Sequence, residues 1–403
     1  MDNISHSLVG LALGELVQRT LPPEADAAAP ALRRRMLLAS CWAASNLPDL
    51  DLVLGGLLPA PLGNLLHHRG HTHILALAPA QALLLMALVW LFWPSARRLL
   101  HDSRNARAGL LAVTCLGFLM HIGFDYLNSY GVHPFYPIAG RWLYGDILFI
   151  VEPVIWLVLG VPLALMVATR WLRFALLALL AGVLAWSTAR GFLHPVSLLV
   201  LVLSGAVFAW LQNGADAKRV LGAGFLALSA FIGVQWFASS LGKQLVAAEL
   251  HQRDPDSLLL DTAMTAFPAN PLCWEFVSVE RNDRLGIYRL RRGQLSLAPG
   301  LLPVAACPAG LSEPMVAASP AFGIAWEEEA SLTRLRARAS NCHFHAWLRF
   351  ARAPALGSTD AGDARYSMGG SNFTTFTFAR FAGQPCAGGV PGWDLPRQDL
   401  LSP

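Results

Sequence analysis

Four of the chain's twelve histidines fall within seven residues, His67-His68-Arg69-Gly70-His71-Thr72-His73. Neutral imidazole offers a nitrogen lone pair at physiological pH, which makes histidine the commonest protein metal ligand. The stretch reads as one wall of a metal site. An extended His71-Thr72-His73 would reach one ion with both imidazoles, so these two rank first as ligands, His68 next and His67 last. Arg69 has the fork geometry to hold a phosphate or carboxylate with two parallel hydrogen bonds. The competing reading is a cationic patch that touches lipid headgroups.

Two other groups carry matching chemistry. His121 and Asp125 form an H-x-x-x-D pair near the end of an apolar run. Spacing of i, i+4 places both on one helical face, within reach of one ion. Ionisable groups inside a membrane span are costly and mark function by default. Gly123 between them reads as a point of close approach. Asn46-Leu47-Pro48-Asp49-Leu50-Asp51 puts two carboxylates side by side next to a helix-stopping proline. An isolated D-x-D is more often a polar turn that caps the next segment. His6 opens the first apolar segment. Asp146 and Glu152 read as ligands, as carboxylates that orient a histidine, or as caps. His133 is a weaker candidate. His343 and His345 alternate in what reads as a strand. G-x-S-x-G, Walker-type, dinucleotide-binding and C-x-x-C signatures are absent, so a serine triad or nucleotide hydrolysis is not indicated.

The elements that must position these residues are mostly apolar. Of 403 residues, 55% are hydrophobic and 14% charged, against about a quarter charged in a soluble domain. The deficit lies in residues 1–242. Spans are expected at Ile74–Trp93, Gly109–Asn128, Ile147–Ala168, Trp171–Ser187, Pro195–Leu211 and Val220–Leu241, each near the roughly 20 residues that cross a bilayer core. Two weaker segments, His6–Thr20 and Arg33–Leu47, bring the number to eight. No cleavable signal peptide is evident, so the first helices are expected to direct insertion. Four alternating loops carry Arg19, Arg33, Arg34, Arg35, Arg97, Arg98, Arg104, Arg107, Arg170, Arg173, Lys218 and Arg219; the opposite loops carry Arg69, Arg141 and Arg190. Positive charge stays on the cytoplasmic side. Both termini are then extracytoplasmic, and every candidate ligand falls on that face. The net charge of +4 follows from this topology and is not a nucleic-acid signal.

The predicted fold is therefore mainly α, a polytopic membrane bundle of about eight helices followed by a small α+β soluble domain. Its parts are residues 1–168 with the candidate site, 169–242 with further membrane helices, and 243–403 outside the membrane. In the last part, 267–271 reads as a turn, Trp274–Glu280, Gly286–Arg292, Phe344–Phe350 and Phe373–Phe378 as strands, and Phe322–Ser340 as a helix. Cys41 and Cys115 read as packing residues. Cys273, Cys307, Cys342 and Cys386 permit disulfides in any of three connectivities, in an oxidising compartment.

His6-Ser7-Leu8-Val9-Gly10, Leu47-Pro48-Asp49-Leu50-Asp51, His68-Arg69-Gly70-His71-Thr72-His73 and His121-Ile122-Gly123-Phe124-Asp125, in this order, resemble the YdjM-like family of membrane-bound metal-dependent hydrolases over about residues 1–165. The helical H-x-x-x-D and the scattered His/Asp set are also similar to the zinc-dependent phospholipase C and single-strand nuclease superfamily. The resemblance implies a divalent metal, Zn²⁺ by that similarity, held by His6, Asp49, Asp51, His68, His71, His73, His121 and Asp125. Asp49 or Asp51 would serve as general base and Arg69 would stabilise an anionic transition state. The expected function is hydrolysis of a phosphoester or ester of a lipid or other amphipathic substrate at the extracytoplasmic face of a bacterial-type inner membrane. The alternatives are a metal or proton transporter, and a structural or sensory membrane protein whose C-terminal domain binds a partner.

Overall fold

The computed structural model describes residues 1–24, 29–310, 315–366 and 371–402. The N-terminal region contains α1 (Asn3–Thr20), α2 (Ala29–Ala44), α3 (Leu62–His67), α4 (Ala78–Phe92), α5 (Pro94–Asp102) and α6 (Arg104–Tyr126). The Asp2 side chain accepts from the Ile4 and Ser5 amides and starts α1; Ser103 does the same for α6 through the Ala106 amide. α1, α2 and α6 pack on one another, and glycines set their spacing. A Cβ on Gly10 would lie 2.6 Å from Ser45 Oγ, and one on Gly117 would lie 2.6 Å from the Ala44 Cβ. Larger residues would push α1 and α6 off α2.

Beyond these come α7 (Pro153–Leu165), which contains a π-helical stretch Trp156–Gly160, then α8 (Arg170–Ala189), α9 (Pro195–Gly214) and α10 (Ala217–Arg253). Among the described residues, four helices (α6, α8, α9 and α10) are long and apolar enough to cross a membrane. The Leu62–His73 and Ala78–Phe92 pair, bent by 77°, makes a fifth if it is one span. Eight were expected, and the shortfall has physical causes. α1 buries Glu15, which pairs with Arg19 and Arg34, and α2 carries three arginines. α7 covers only Pro153–Leu165. The run expected to begin at Ile74 starts as helix only at Ala78.

α10 has 37 residues, about 55 Å at 1.5 Å per residue, whereas roughly 20 residues suffice to cross the bilayer core. Its C-terminal part enters the second domain, where Val246 and Leu250 pack with Met264, Trp274, Phe276 and Leu295. That domain holds β1 (Leu258–Phe267), β2 (Asn270–Asn282), β3 (Ile287–Ser296), β4 (Val316–Ala317) and β5 (Phe322–Ser331) in one antiparallel sheet, ordered β1-β2-β3-β5-β4. A second, small sheet is formed by β6 (Pro354–Leu356), β7 (Asp360–Asp363) and β8 (Phe376–Thr377).

The turn at 267–271 joins β1 to β2, and β1 is a strand that the sequence reading did not include. Phe322–Ser340 is not one helix. Glu327 and Glu329 stand opposite Arg291 and Arg289 of β3 and pair with them across the ladder. Helix begins only after Ser331, whose hydroxyl caps α11 (Leu332–Ala339). The expected strand at Phe344–Phe350 is instead helix α12 (Cys342–Leu348), because the Asn341 side chain accepts from the His343 and Phe344 amides and nucleates a turn. His343 and His345 lie on that helix. Disulfides join Cys273 to Cys307 and Cys342 to Cys386; Cys41 and Cys115 are free.

The second domain sits over the end of the helical region that carries the candidate ligands. Trp393 donates through Nε1 to the Leu66 carbonyl, Trp142 through Nε1 to the Arg349 carbonyl, and Arg365 to the Ser129 carbonyl. Buried Arg352 bridges the two parts. It donates to both carboxylate oxygens of Asp146 at 2.7 and 2.9 Å and to those of Asp261 at 2.8 and 3.0 Å.

Candidate metal centre

Three separate pieces of chain meet at the end of α6. His121 and Asp125 leave one face of the last turns of α6. His73 comes from a 3-10 turn, His71–His73. Asp49 comes from the 3-10 segment Leu47–Leu57, which follows α2 and contains Pro48. One ligand atom from each of Asp49, His73, His121 and Asp125 lies within 4.8 Å of all the others. The two imidazole Nε2 atoms are 3.0 Å apart. His73 Nε2 is 3.2 Å from Asp125 Oδ2 and 3.5 Å from Asp49 Oδ1; His121 Nε2 is 3.5 and 3.6 Å from the same two oxygens. A tetrahedron with metal–ligand bonds of 2.0–2.1 Å has edges of roughly 3.3 Å. The five measured separations bracket that length.

The far sides of the rings set their tautomers. His121 Nδ1 lies 2.7 Å from the Ser45 carbonyl, so it carries the proton and Nε2 carries the lone pair. His73 Nδ1 lies 3.2 Å from Asp51 Oδ2, which favours the same tautomer. Two lone pairs then face each other, and buried Asp125 Oδ2 has no hydrogen-bond donor. A cation among the four atoms satisfies all of them, so the residues present fit a divalent metal.

The surrounding residues orient this group. Asp51 accepts from Thr72 Oγ1 at 2.8 Å, from His73, and from His68 Nδ1 at 3.0 Å. Burial alone would raise its carboxyl, but the hydrogen bonds from His68 and His73 outweigh burial and hold it well below the usual carboxylate range. His6 places Nε2 3.2 Å from Asp125 Oδ1 and stacks on the His121 ring at 4.0 Å. Arg69 Nη1 donates to the Asp125 carbonyl and to Asn128 Oδ1, and Nη2 lies 3.1 Å from Asp125 Oδ1, which also meets the Met1 amino group. Arg69 turns inward through a left-handed backbone, φ 57°, followed by Gly70, where a Cβ would strike the His67 carbonyl at 2.5 Å.

Of the eight residues expected as ligands, the structure thus gathers Asp49, His73, His121 and Asp125. It sets His6 and Asp51 against them as hydrogen-bond partners, with His68 held behind on Asp51. His71 is not brought in: its ring lies 5.0 Å from that of Trp393 and 6.1 Å from that of Tyr136. His133 is buried between Trp142 and Trp393, and burial pushes its imidazole down to about 3, so it is neutral. Asp146 belongs to the Arg352 bridge, and Glu152 caps α7. Gly123 has open space where a Cβ would stand, so the close approach expected there does not occur; Gly10 and Gly117 fill that role. Sequence reasoning missed Ser45, Thr72 as a donor, and Asn128. Only Thr72, inside the histidine run, left a signal in the sequence.

A cavity of about 420 Å³ opens beside the cluster. Asp49 and His68 reach it from the metal side, with Arg69 and Asn128 next to them. Residues 1–190 match the YdjM inner membrane protein family. The YdjM region includes every residue of the cluster and ends inside the membrane helices, so the sheet domain lies outside it. The chain is also similar to the uncharacterized protein YfhP of Bacillus subtilis (strain 168), 29% identical over 157 residues, which make up 39% of this chain and 43% of that protein. The chain thus covers less than half the length of that relative. No solved structure matches.

Proposed function

We propose that this chain is a membrane-embedded metal-dependent hydrolase that cleaves a phosphoester at the extracytoplasmic face of an inner membrane. The observation that carries this reading is the near-tetrahedral set of Asp49, His73, His121 and Asp125 on the wall of a cavity. His73 and His121 are fully buried and the Asp125 side chain is 1% exposed, whereas that of Asp49 is 10% exposed and lines the cavity. The accessible corner of the site is therefore the one that faces a substrate.

A divalent cation held there, Zn²⁺ by the character of its N and O ligands, would polarise the phosphoryl group and bring the acidity of water towards neutrality. The chain's own residues do the rest. Asp51 holds His73 in the tautomer that presents Nε2, and the Ser45 carbonyl does so for His121. Asp51 also accepts from His68 Nδ1, which leaves His68 Nε2 to take a proton at the cavity wall. With both oxygens engaged, Asp51 is an orienting group; Asp49 would hold the metal through Oδ1 and keep its other oxygen, on the cavity side, as general base. Arg69, braced by Asp125 and Asn128, sets positive charge where anionic charge develops.

Transport finds little support. Among the described residues, α8 and α9 bury no ionisable side chain, and α10 buries the polar residues Gln235 and Ser239 but no ionisable one. The proposed orientation is supported by the arginine-rich loops and by the two disulfides, which persist in an oxidising compartment.

The test is metal analysis of the purified full chain beside hydrolysis of a chromogenic phosphodiester. About one bound transition metal per chain, lost with activity in His73→Ala and His121→Ala, is the expected result. A chain without stoichiometric metal, whose variants behave like wild type, would sink the proposal.

A further inference from the structure

The cavity beside the metal cluster is built by two domains. The YdjM region supplies the metal side, and the sheet domain, outside the family match, closes it with Thr265, Glu275, Arg292, Arg365, Tyr366 and Phe373.

Part of its lining carries donors with nothing to donate to. Arg69 Nε and Asn128 Nδ2 are buried without a partner, on side chains at least nine-tenths buried, and the Tyr366 hydroxyl is likewise buried and unpartnered. All three residues line the cavity. Buried donors left unpaired are unfavourable. Arg69, Asn128 and Tyr366, which carry them, line one space next to the cation site, and that lining suits a ligand rich in acceptor oxygens. On the domain's wall Arg292 adds charge; its Nε is held by Glu275 at 2.6 Å, which fixes the guanidinium in place. Arg365 is saturated by Asp363 and three main-chain carbonyls and only braces the wall.

The lining also has an apolar part: Leu52, Ile150 and Phe373 are 52%, 44% and 53% exposed. Leu52 belongs to the 3-10 segment whose neighbours Leu50, Val53 and Leu57 are also exposed, so apolar surface of the membrane region adjoins the cavity. Phe373 stacks edge-on against Tyr366, with ring centres 4.7 Å apart, so one domain presents an apolar ring beside a phenol.

Resting on the hydrolase reading, we infer that the sheet domain is the substrate-reading half of the site: Tyr366 and Arg292 bind the phosphate headgroup of an amphiphile together with Arg69 and Asn128, and Phe373 holds the start of its alkyl chain against Leu52 and Ile150. The substrate class is a single-headgroup phospholipid-like phosphoester that enters sideways from the bilayer.

The experiment measures equilibrium binding of n-octylphosphonate and methylphosphonate to the full chain in neutral-lipid nanodiscs, with empty nanodiscs subtracted. Neither probe can be hydrolysed at a phosphoester, so binding is read apart from activity. Wild type should bind octylphosphonate at least tenfold more tightly than methylphosphonate. Phe373→Ala should weaken octylphosphonate about tenfold and leave methylphosphonate unchanged. Tyr366→Phe, which keeps the ring and its packing, should weaken both about tenfold. Equal binding of the two probes by wild type would overturn the amphiphile assignment. Wild-type affinities in both variants would overturn the role of the domain, even if His121→Ala abolished hydrolysis. The expected binding pattern in a chain that hydrolyses no phosphoester would uphold this inference and refute the hydrolase reading instead.

Discussion

His73 Nε2 and His121 Nε2 face each other at 3.0 Å, although 48 residues separate them in the chain. Each has its other nitrogen against an acceptor, so neither can relieve the contact by turning. The pair makes a strong prediction about His121. Its Ala variant removes one lone pair and the stacking partner of His6. Bound metal should fall from about one per chain to less than about a tenth, since loss of one of few ligands abolishes tight binding. Elemental analysis of the purified variant measures this directly, and a metal content equal to wild type would exclude His121 as a ligand.

Asp51 accepts from three side chains, those of His68, Thr72 and His73. Asp51→Asn keeps the shape but replaces one acceptor oxygen with a donor facing His68, His73 or Thr72. Partners that orient ligands are worth about 10–100-fold in metal affinity. Competition with a chelator should show a weakening in that range while the thermal unfolding midpoint stays near wild type. An unchanged affinity would mean that Asp51 has no orienting role.

Arg352 joins the domains through Asp146 and Asp261, and burial opposes its charge while the two carboxylates sustain it. Arg352→Met leaves Asp261 with the more exposed Arg397 and Asp146 with Lys243 alone. Breaking a buried pair on one side costs about 3–5 kcal/mol. Denaturant unfolding in detergent should show that loss, and the variant should also lose cavity ligands before it loses helix signal. A cost below about 1 kcal/mol would show that the bridge does not hold the domains together.

Glu152 is fully buried, caps α7 through the Val154 amide, and accepts from the Ala269 amide of the β1–β2 turn. Burial pushes its carboxyl up to about 8 from an ordinary 4.5. The folded state then holds a proton that the unfolded state releases between those two values, so stability falls as pH rises from about 4.5 to about 8. Glu152→Gln keeps an acceptor oxygen and removes the titration. Its thermal midpoint, compared with wild type from pH 6 to pH 9, should gain with pH and level off above about 8. A constant difference across that range would show that Glu152 does not titrate on unfolding.

Much of the site was legible in the chain because its pieces are local. His121 and Asp125 needed only helical spacing to share a face, and Asp49 needed only Pro48 to leave α2 behind. The same locality misled at His71 and His73. In an extended segment, residues two apart point the same way. The segment is instead a 3-10 turn, with three residues per turn, so residues two apart point in different directions. His73 meets the cluster and His71 meets Trp393. In the sheet domain the acidic run Glu327–Glu329 looked like the start of a helix, because its partners Arg289 and Arg291 lie nearly forty residues earlier and only strand pairing brings them opposite.

The sequence by itself determined that this is a membrane chain with a less apolar domain behind it, and which His and Asp residues could hold a cation. Composition and short-range periodicity carry that information. Only the tertiary structure decided that four of those residues converge, that Asp51 and His68 stand behind them, and that a domain more than a hundred residues away supplies the opposite wall of the cavity. Those outcomes depend on helix crossings set by Gly10 and Gly117 and on the buried Arg352 bridge. Contacts between distant parts of the chain leave no local pattern in it.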